Sequence, residues 1–234
     1  MSPTESAPQS RSRRERPAKP ALTRPGIIDA ALVILREEGL AKVTMRRVAA
    51  ALDTGHGSLY VYVRDTEDLH AQILDVLLGE VLPAQAGGGS WRDGLKALLT
   101  DYGSLLGRYP GIARMAMSTQ PSGPNYLALV EAVIALLHEG GVADGPAAWG
   151  VDLLLLYPTA IAVEHSNPKA DEQKAAALSD LAKQLVHTDA ARYPHIARLG
   201  TALVEGDGRT RADWAFDVLL DGILAAADPP ASQR

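Results

Sequence analysis

Cysteine is absent from this 234-residue chain. That absence excludes a disulfide framework, thiolate zinc sites and a cysteine nucleophile, and it suits a reducing compartment. Aromatic residues make up only 5% of the chain, with a single Phe, and β-branched runs are short, so little in the composition favours strands. Long uninterrupted apolar runs are also missing. The stretch from Val151 to Val163 contains Asp152 and Pro158 and is expected to fall short of a bilayer span. The polar, basic opening residues hold no apolar core of a secretory signal. The expectation is a cytoplasmic protein with no membrane partner.

Ala and Leu dominate what is present, and hydrophobic residues reach 47%. That is enough for a sizeable core and favours helices over strands. The net charge of −5 is unevenly spread: residues 1–64 carry 11 Lys and Arg against 6 Asp and Glu, and the remaining 170 residues carry 12 against 22. A basic head on an acidic body directs the head alone toward a polyanion.

Residues 1–20, rich in Ser, Pro, Arg and Gln, read as a disordered basic arm, equally a solvated tail or a DNA-contacting one. The first helix starts at Thr23, which caps it, with Pro25 tolerated in the first turn. Ile27, Ile28, Ala31, Leu32 and Leu35 form its apolar face, and Gly39 ends it. Thr44 caps a second helix whose inward residues are Met45, Val48, Ala49 and Leu52. Asp53 to Gly57 reads as a tight turn, Gly57 to Val63 as a short third helix, and Asp65 or Thr66 as the cap of a fourth helix. This is the pattern of a helix-turn-helix. Gly87-Gly88-Gly89-Ser90 reads as a flexible connection. Helical patterns resume at Trp91 to Gly107, Pro110 to Met117, Asn125 to Glu139, Pro146 to His165, Glu172 to Val186 and Arg211 to Ala227. The expected fold is all-α. It has a three-helix DNA-binding head over residues 21–68 and a helical-bundle body over 69–228. Residues 229–234 form a disordered tail.

The residues that carry chemistry cluster in the head. Thr44 offers a hydroxyl and helix N-terminal amides to a phosphate. Arg46 and Arg47 open the helix that would cross the DNA backbone. Thr54, His56, Gly57, Ser58 and Tyr62 give the third helix a small or polar outer side. There His56 and Ser58 reach for base edges, while Tyr60 and Tyr62 donate to phosphates. Leu59 and Val63 pack inward. Singly, Tyr60 reads equally well as a core aromatic and His56 as a turn residue. Their order and spacing carry the reading.

At this point the chain resembles the TetR family of bacterial repressors. The resemblance rests on Ala30-Ala31, Glu38-Gly39-Leu40, Thr44-Met45-Arg46, Ser58-Leu59-Tyr60 and Asp68-Leu69. One departure is Thr66, which stands where the family carries a Lys near the start of helix four, so a hydroxyl replaces a charged phosphate ligand. The body resembles the tetracycline-repressor branch through Arg108-Tyr109-Pro110-Gly111, Leu136-Leu137-His138-Glu139-Gly140 and Arg192-Tyr193-Pro194-His195. The resemblance implies a homodimer on a palindromic double-stranded operator, released by a small-molecule effector, and assigns ligand binding and dimerisation to the body over 69–228. It implies a four-helix interface built from Trp149, Leu153, Leu156 and Tyr157 on one helix and Trp214, Val218, Leu219 and Ile223 on another. It also implies an effector pocket among Tyr102, Leu106, Met115, Met117, Gln120, Asn125, Tyr126, Tyr157 and His165, each of which reads equally well as core. No cofactor and no metal are expected, because six scattered His residues form no ligand set.

The rival readings are a helical enzyme and a helical small-molecule-binding protein without DNA-binding activity. No Gly-x-Ser-x-Gly elbow, phosphate-binding Gly/Lys loop, His-Glu-x-x-His helix or dinucleotide Gly pattern occurs, so the chain is expected not to be an enzyme.

Overall fold

The computed structural model describes residues 21–81, 89–119 and 121–229. The arm, most of the tail, Gly87-Gly88 and Gln120 lie outside those residues. The described residues form ten α-helices and three 3-10 turns, with no strand among them.

The head begins with α1 (Arg24–Glu38), where the Thr23 hydroxyl accepts the Gly26 N–H at 3.2 Å. Its apolar face buries Ile27, Ile28, Ala31, Leu32, Ile34 and Leu35. After a 3-10 turn at Leu40–Lys42, α2 (Met45–Ala51) is capped by Thr44, whose hydroxyl accepts the Arg47 N–H at 3.2 Å. The expected third helix is a 3-10 turn, His56–Val61, with no side-chain cap. Six residues preceded and interrupted by glycine cannot offset the cost of nucleating an α-helix. Helix α3 (Thr66–Leu78) takes its cap from Asp65, which accepts the Asp68 N–H at 2.8 Å. It runs from head to body, so the residue 68/69 boundary falls within one continuous helix. Near its start, His70 Nε2–H donates to the Val43 carbonyl at 2.8 Å.

The body comprises α4 (Trp91–Arg108), α5 (Pro110–Ser118), α6 (Pro124–Glu139), α7 (Asp144–Glu164), α8 (Pro168–Val186), α9 (Pro194–Leu199) and α10 (Gly208–Ala225). Ser90 and Asp93 cap α4 reciprocally. Helix α7 is the centre of the body, packing against α4, α5, α6 and α10. It starts earlier than the Val151–Val163 stretch suggests, and its 21 residues make it long and apolar enough to cross a bilayer by length and composition. This corrects the sequence expectation. Half of its most apolar window is buried inside the body, as for the central helix of a folded core. Helix α9 and the 3-10 turn Gly200–Leu203 are not anticipated by the helical patterns, being too short to show a period. They pack chiefly with α8, forming an arm on which Leu178, Leu181, Val186, Ile196, Leu199 and Leu203 stay exposed.

Candidate nucleic-acid interface and ligand cavities

Two buried anchors, Leu59 and Val63, fasten the His56–Val61 turn to the core of α1 and α2. Asp53, at φ 49°, reverses the chain out of α2. With the anchors inward, His56, Gly57, Ser58, Tyr60 and Val61 face solvent. Tyr60 is 53% and Val61 79% exposed. The His56 and Tyr60 rings meet edge to face at 6.3 Å, which orders the outer surface of the turn. Arg46 is exposed and has no ion-pair partner among the described residues. Thr44 is exposed, and its hydroxyl proton stays free to donate while its oxygen caps α2.

Four other predicted contacts sit differently. Tyr62 is half-buried, and its hydroxyl donates to the Leu22 carbonyl at 2.7 Å across 40 residues. It acts as a buckle that ties the start of α1 to the recognition turn, and its hydroxyl is not turned outward to a phosphate. Arg47 bridges α2 to α1 instead of standing free, because its Nη2 and Nε donate to Glu38 Oε1 at 2.5 and 3.1 Å. Hydrogen bonding to Glu38 raises its already high pKa. Thr54 and Thr66 are half-buried, Thr66 as the first residue of α3.

The joint between head and body is narrow. Leu40 lies on Gly111 of α5 so closely that a Cβ at Gly111 would stand 2.6 Å from the Leu40 Cβ. Arg36 of α1 bonds to the Tyr109 side chain, which raises its pKa. It also lies 3.6 Å from Glu80, which pairs in turn with Arg108 at 3.3 Å.

The residues expected to share one pocket are divided between two cavities set back to back. Tyr102, Met117 and Tyr126 line a cavity of about 230 Å³ among α4, α5, α6 and α7, together with Asp152 and Thr159. Tyr157 and His165 line a larger one of about 890 Å³ among α4, α7 and α10, with Phe216 in its wall and Lys96 at its edge. Where α4 crosses α7, Tyr102 and Thr159 share a hydrogen bond at 2.9 Å and Gly103 abuts Pro158. Burial pushes the Tyr102 phenol above its ordinary pKa, so it stays neutral. Lys96 ties α4 to α10 through Asp213 and Asp217 at 2.8 and 2.9 Å, and these bonds raise its pKa despite desolvation. Leu106 is fully buried and Met115 half-buried, and neither lines either of these two cavities. Asn125 is held by Asp75 of α3 and lines neither of these two cavities. Among the described residues no group of His, Asp or Glu is placed to hold a metal.

Trp149, Leu153 and Leu156 lie exposed along α7, and Trp214 and Val218 along α10, with the two indoles 61% and 67% exposed. Leu219 is half-buried, and Ile223 is buried against Gly150 of α7. Ile223 therefore belongs to the packing of α10 within its own chain and not to an open face. Sequence reasoning missed α9 with its 3-10 turn, Asp75, and the Lys96 and Phe216 walls of the larger cavity. A signal for Asp75 exists: Gly123-Pro124 opens α6 without a capping Ser, Thr, Asp or Asn, so the cap must come from elsewhere.

A helix-turn-helix head with an outward recognition turn, on a helical body with cavities and an apolar stripe, defines a DNA-binding transcriptional regulator. The chain belongs to the TetR family. Residues 27–73 match "Bacterial regulatory proteins, tetR family" and residues 82–227 match "Tetracyclin repressor-like, C-terminal domain". The chain is similar to SCO7704 of Streptomyces coelicolor. That structure is 45% identical with a TM-score of 0.72, over 92% of this chain and 100% of that one. It is also similar to ActR of Streptomyces coelicolor in complex with actinorhodin. The identity is 32% and the TM-score 0.76, over 88% of this chain and 97% of that one. The transcriptional repressor DrrR1 of Streptomyces coeruleorubidus is 36% identical over 56% of this chain, which spans 49% of DrrR1.

Proposed function

We propose that this chain is a cytoplasmic, ligand-released repressor that binds a palindromic operator as a homodimer. The single observation that carries this reading is the His56–Val61 turn, whose Leu59 is fully buried while its neighbours stand in solvent. Ser58 and His56 enter the major groove with their backbone close to its floor, and Tyr60 donates to a phosphate at its edge. Thr44 and Arg46 hold flanking phosphates, and Thr66 adds a neutral donor. Two heads about 34 Å apart then read successive grooves. Residues 21–68 serve as the DNA-binding unit and 69–228 as the effector and dimer unit.

Trp149, Leu153, Leu156, Trp214 and Val218 form the two-fold interface. Such a contiguous apolar stripe on a soluble chain requires a partner. The α8–α9 arm, which exposes Leu178, Leu181, Val186, Ile196 and Leu199, completes that interface on the second copy.

The effector seat is the cavity among α4, α5, α6 and α7. Two of its walls touch the path to the head, through Gly111 on Leu40 and through Asn125 and Tyr126 on Asp75. Its volume of about 230 Å³ lies below the usual 300–1,000 Å³ of ligand sites, so the effector widens it on entry. A phenol-lined wall suits a planar aromatic ligand, and ActR in complex with actinorhodin supports that class. A second reading seats the effector in the larger cavity, whose about 890 Å³ already accommodates a drug-sized molecule.

The test is fluorescence anisotropy with duplex fragments flanking the gene, titrated with salt. Each head that loses the Arg46 contact gives up one phosphate, so Arg46→Ala lowers the salt slope by about 1.8 for the dimer. No binding to any fragment at low ionic strength overturns the reading. Actinorhodin releases the DNA, and Tyr126→Ala abolishes release if the smaller cavity is the seat. Phe216→Ala does so if the larger one is.

A further inference from the structure

Helix α6 lacks a cap of its own. The residue before it, Gly123, makes no side-chain hydrogen bond, and an uncapped helix start leaves its first amides without partners. Asp75, from the last turn of α3, supplies the missing acceptor: its Oδ1 takes the N–H groups of Asn125 and Tyr126, each at 3.0 Å. The Asn125 side-chain amide adds a bond to Oδ2 at 3.4 Å. The fit is close on both sides. Gly123 sits at φ +146°, and a Cβ there would stand 2.3 Å from the Asp75 carboxylate. One turn further along α3, a Cβ at Gly79 would stand 3.3 Å from Asn125 Oδ1. A carboxylate against a helix N-terminus is also favoured by the helix dipole.

The two helices joined here have different tasks. Helix α3 runs from the head, where His70 holds the Val43 carbonyl, and α6 contributes Tyr126 to the wall of the smaller cavity. Asp75 bonds the backbone of the same residue whose side chain faces the ligand space.

We infer that Asp75 is the positioning residue that transmits occupancy of the smaller cavity to the DNA-binding head, by capping α6 in trans from α3. A molecule pressing on Tyr126 shifts the first turn of α6, and the paired N–H bonds carry that shift into α3. Without the carboxylate the two helices move independently. The inference rests on the repressor reading and on the smaller cavity as its effector seat.

The test is a double-mutant cycle in the full-length protein, with Tyr126→Trp filling the cavity in place of a ligand and Asp75→Asn weakening the cap at nearly constant volume. The probe is the duplex from the protein's own locus. Tyr126→Trp is expected to weaken operator binding by about 5- to 150-fold, the usual span of allosteric coupling. In the Asp75→Asn background it is expected to change binding by less than twofold. Equal effects of Tyr126→Trp in both backgrounds, or no effect in either, overturn the inference. Amide exchange along α3 is measured on the same four proteins. If the parent protein binds no duplex, the repressor reading fails, and exchange alone judges the coupling. Faster exchange in α3 on Tyr126→Trp, absent once Asp75 is Asn, upholds it. The same response in both backgrounds overturns it.

Discussion

Tyr60 and Tyr62 are two residues apart and chemically identical, yet removing their hydroxyls should have opposite consequences. The Tyr62 hydroxyl donates to the Leu22 carbonyl at 2.7 Å in a half-buried setting, so Tyr62→Phe leaves that carbonyl without its donor. A bond of this kind contributes about 0.5–1.5 kcal/mol net. In a chain of this length each kcal/mol moves Tm by about 2–4 °C, so the expected drop is about 1–6 °C. Operator affinity at a temperature well below the melt should barely change. Tyr60, at 53% exposure, has no hydrogen-bond partner for its hydroxyl among the described residues. Tyr60→Phe should therefore leave Tm unchanged. On DNA it removes one bond to a charged phosphate per head and two per dimer, about 3–6 kcal/mol, or about 150- to 25,000-fold in affinity. Neither change removes a charge, so the salt slope stays that of the parent. Thermal melts by circular dichroism and anisotropy on the labelled duplex read both quantities. Loss of DNA affinity in Tyr62→Phe with an unmoved melt would refute the assignment of Tyr62 as a buckle.

Gly111→Ala forces a Cβ to 2.6 Å from the Leu40 Cβ. The overpacking cost of about 1–3 kcal/mol exceeds the gain of about 1 kcal/mol from Ala in a helix. The head must then tilt, and operator affinity should fall at least about tenfold, whereas parental affinity would show that the joint tolerates the shift. Trp214→Glu places a like charge on each side of a two-fold interface and should convert the dimer to monomer in sedimentation velocity. An unchanged dimer would remove α10 from the interface. The Asp207 carboxyl is held below its ordinary pKa by the Thr210 N–H at 2.9 Å. Its depressed folded value means that its stabilisation is complete above the unfolded value of about 4 and is lost as pH falls through the folded value. Melts between about pH 6 and pH 2 should show a flatter acid limb for Asp207→Asn than for the parent, and identical limbs would contradict the capping role.

The helices were readable because their signals are local. Thr23, Thr44 and Asp65 each bond an amide three positions into the helix that follows, and the apolar positions of α1 repeat with the helical period, whereas Ser90, which reads as part of a flexible connection, caps α4. Where the signal shortens, reading fails. The recognition turn looked like an α-helix because six residues cannot show whether the repeat is 3.0 or 3.6. In the sequence the residues outlining the pocket read as one set. No local feature says that Tyr102 and Gly103, adjacent in sequence, face two different cavities on either side of the α4–α7 crossing.

Caps, periodicity and the order of residues around Leu59 were thus determined by the sequence alone, and with them the helical class, the head and the family. The tertiary structure decided which polar groups are already spoken for: Tyr62 by Leu22 across 40 residues, Asn125 by Asp75 across 50, Arg47 by Glu38 across 9. The reason is physical. A helix dictates the neighbours of its own residues three and four positions away, but it does not dictate which helix lies across it or at what angle, and hydrogen bonds between helices exist only once that crossing is set.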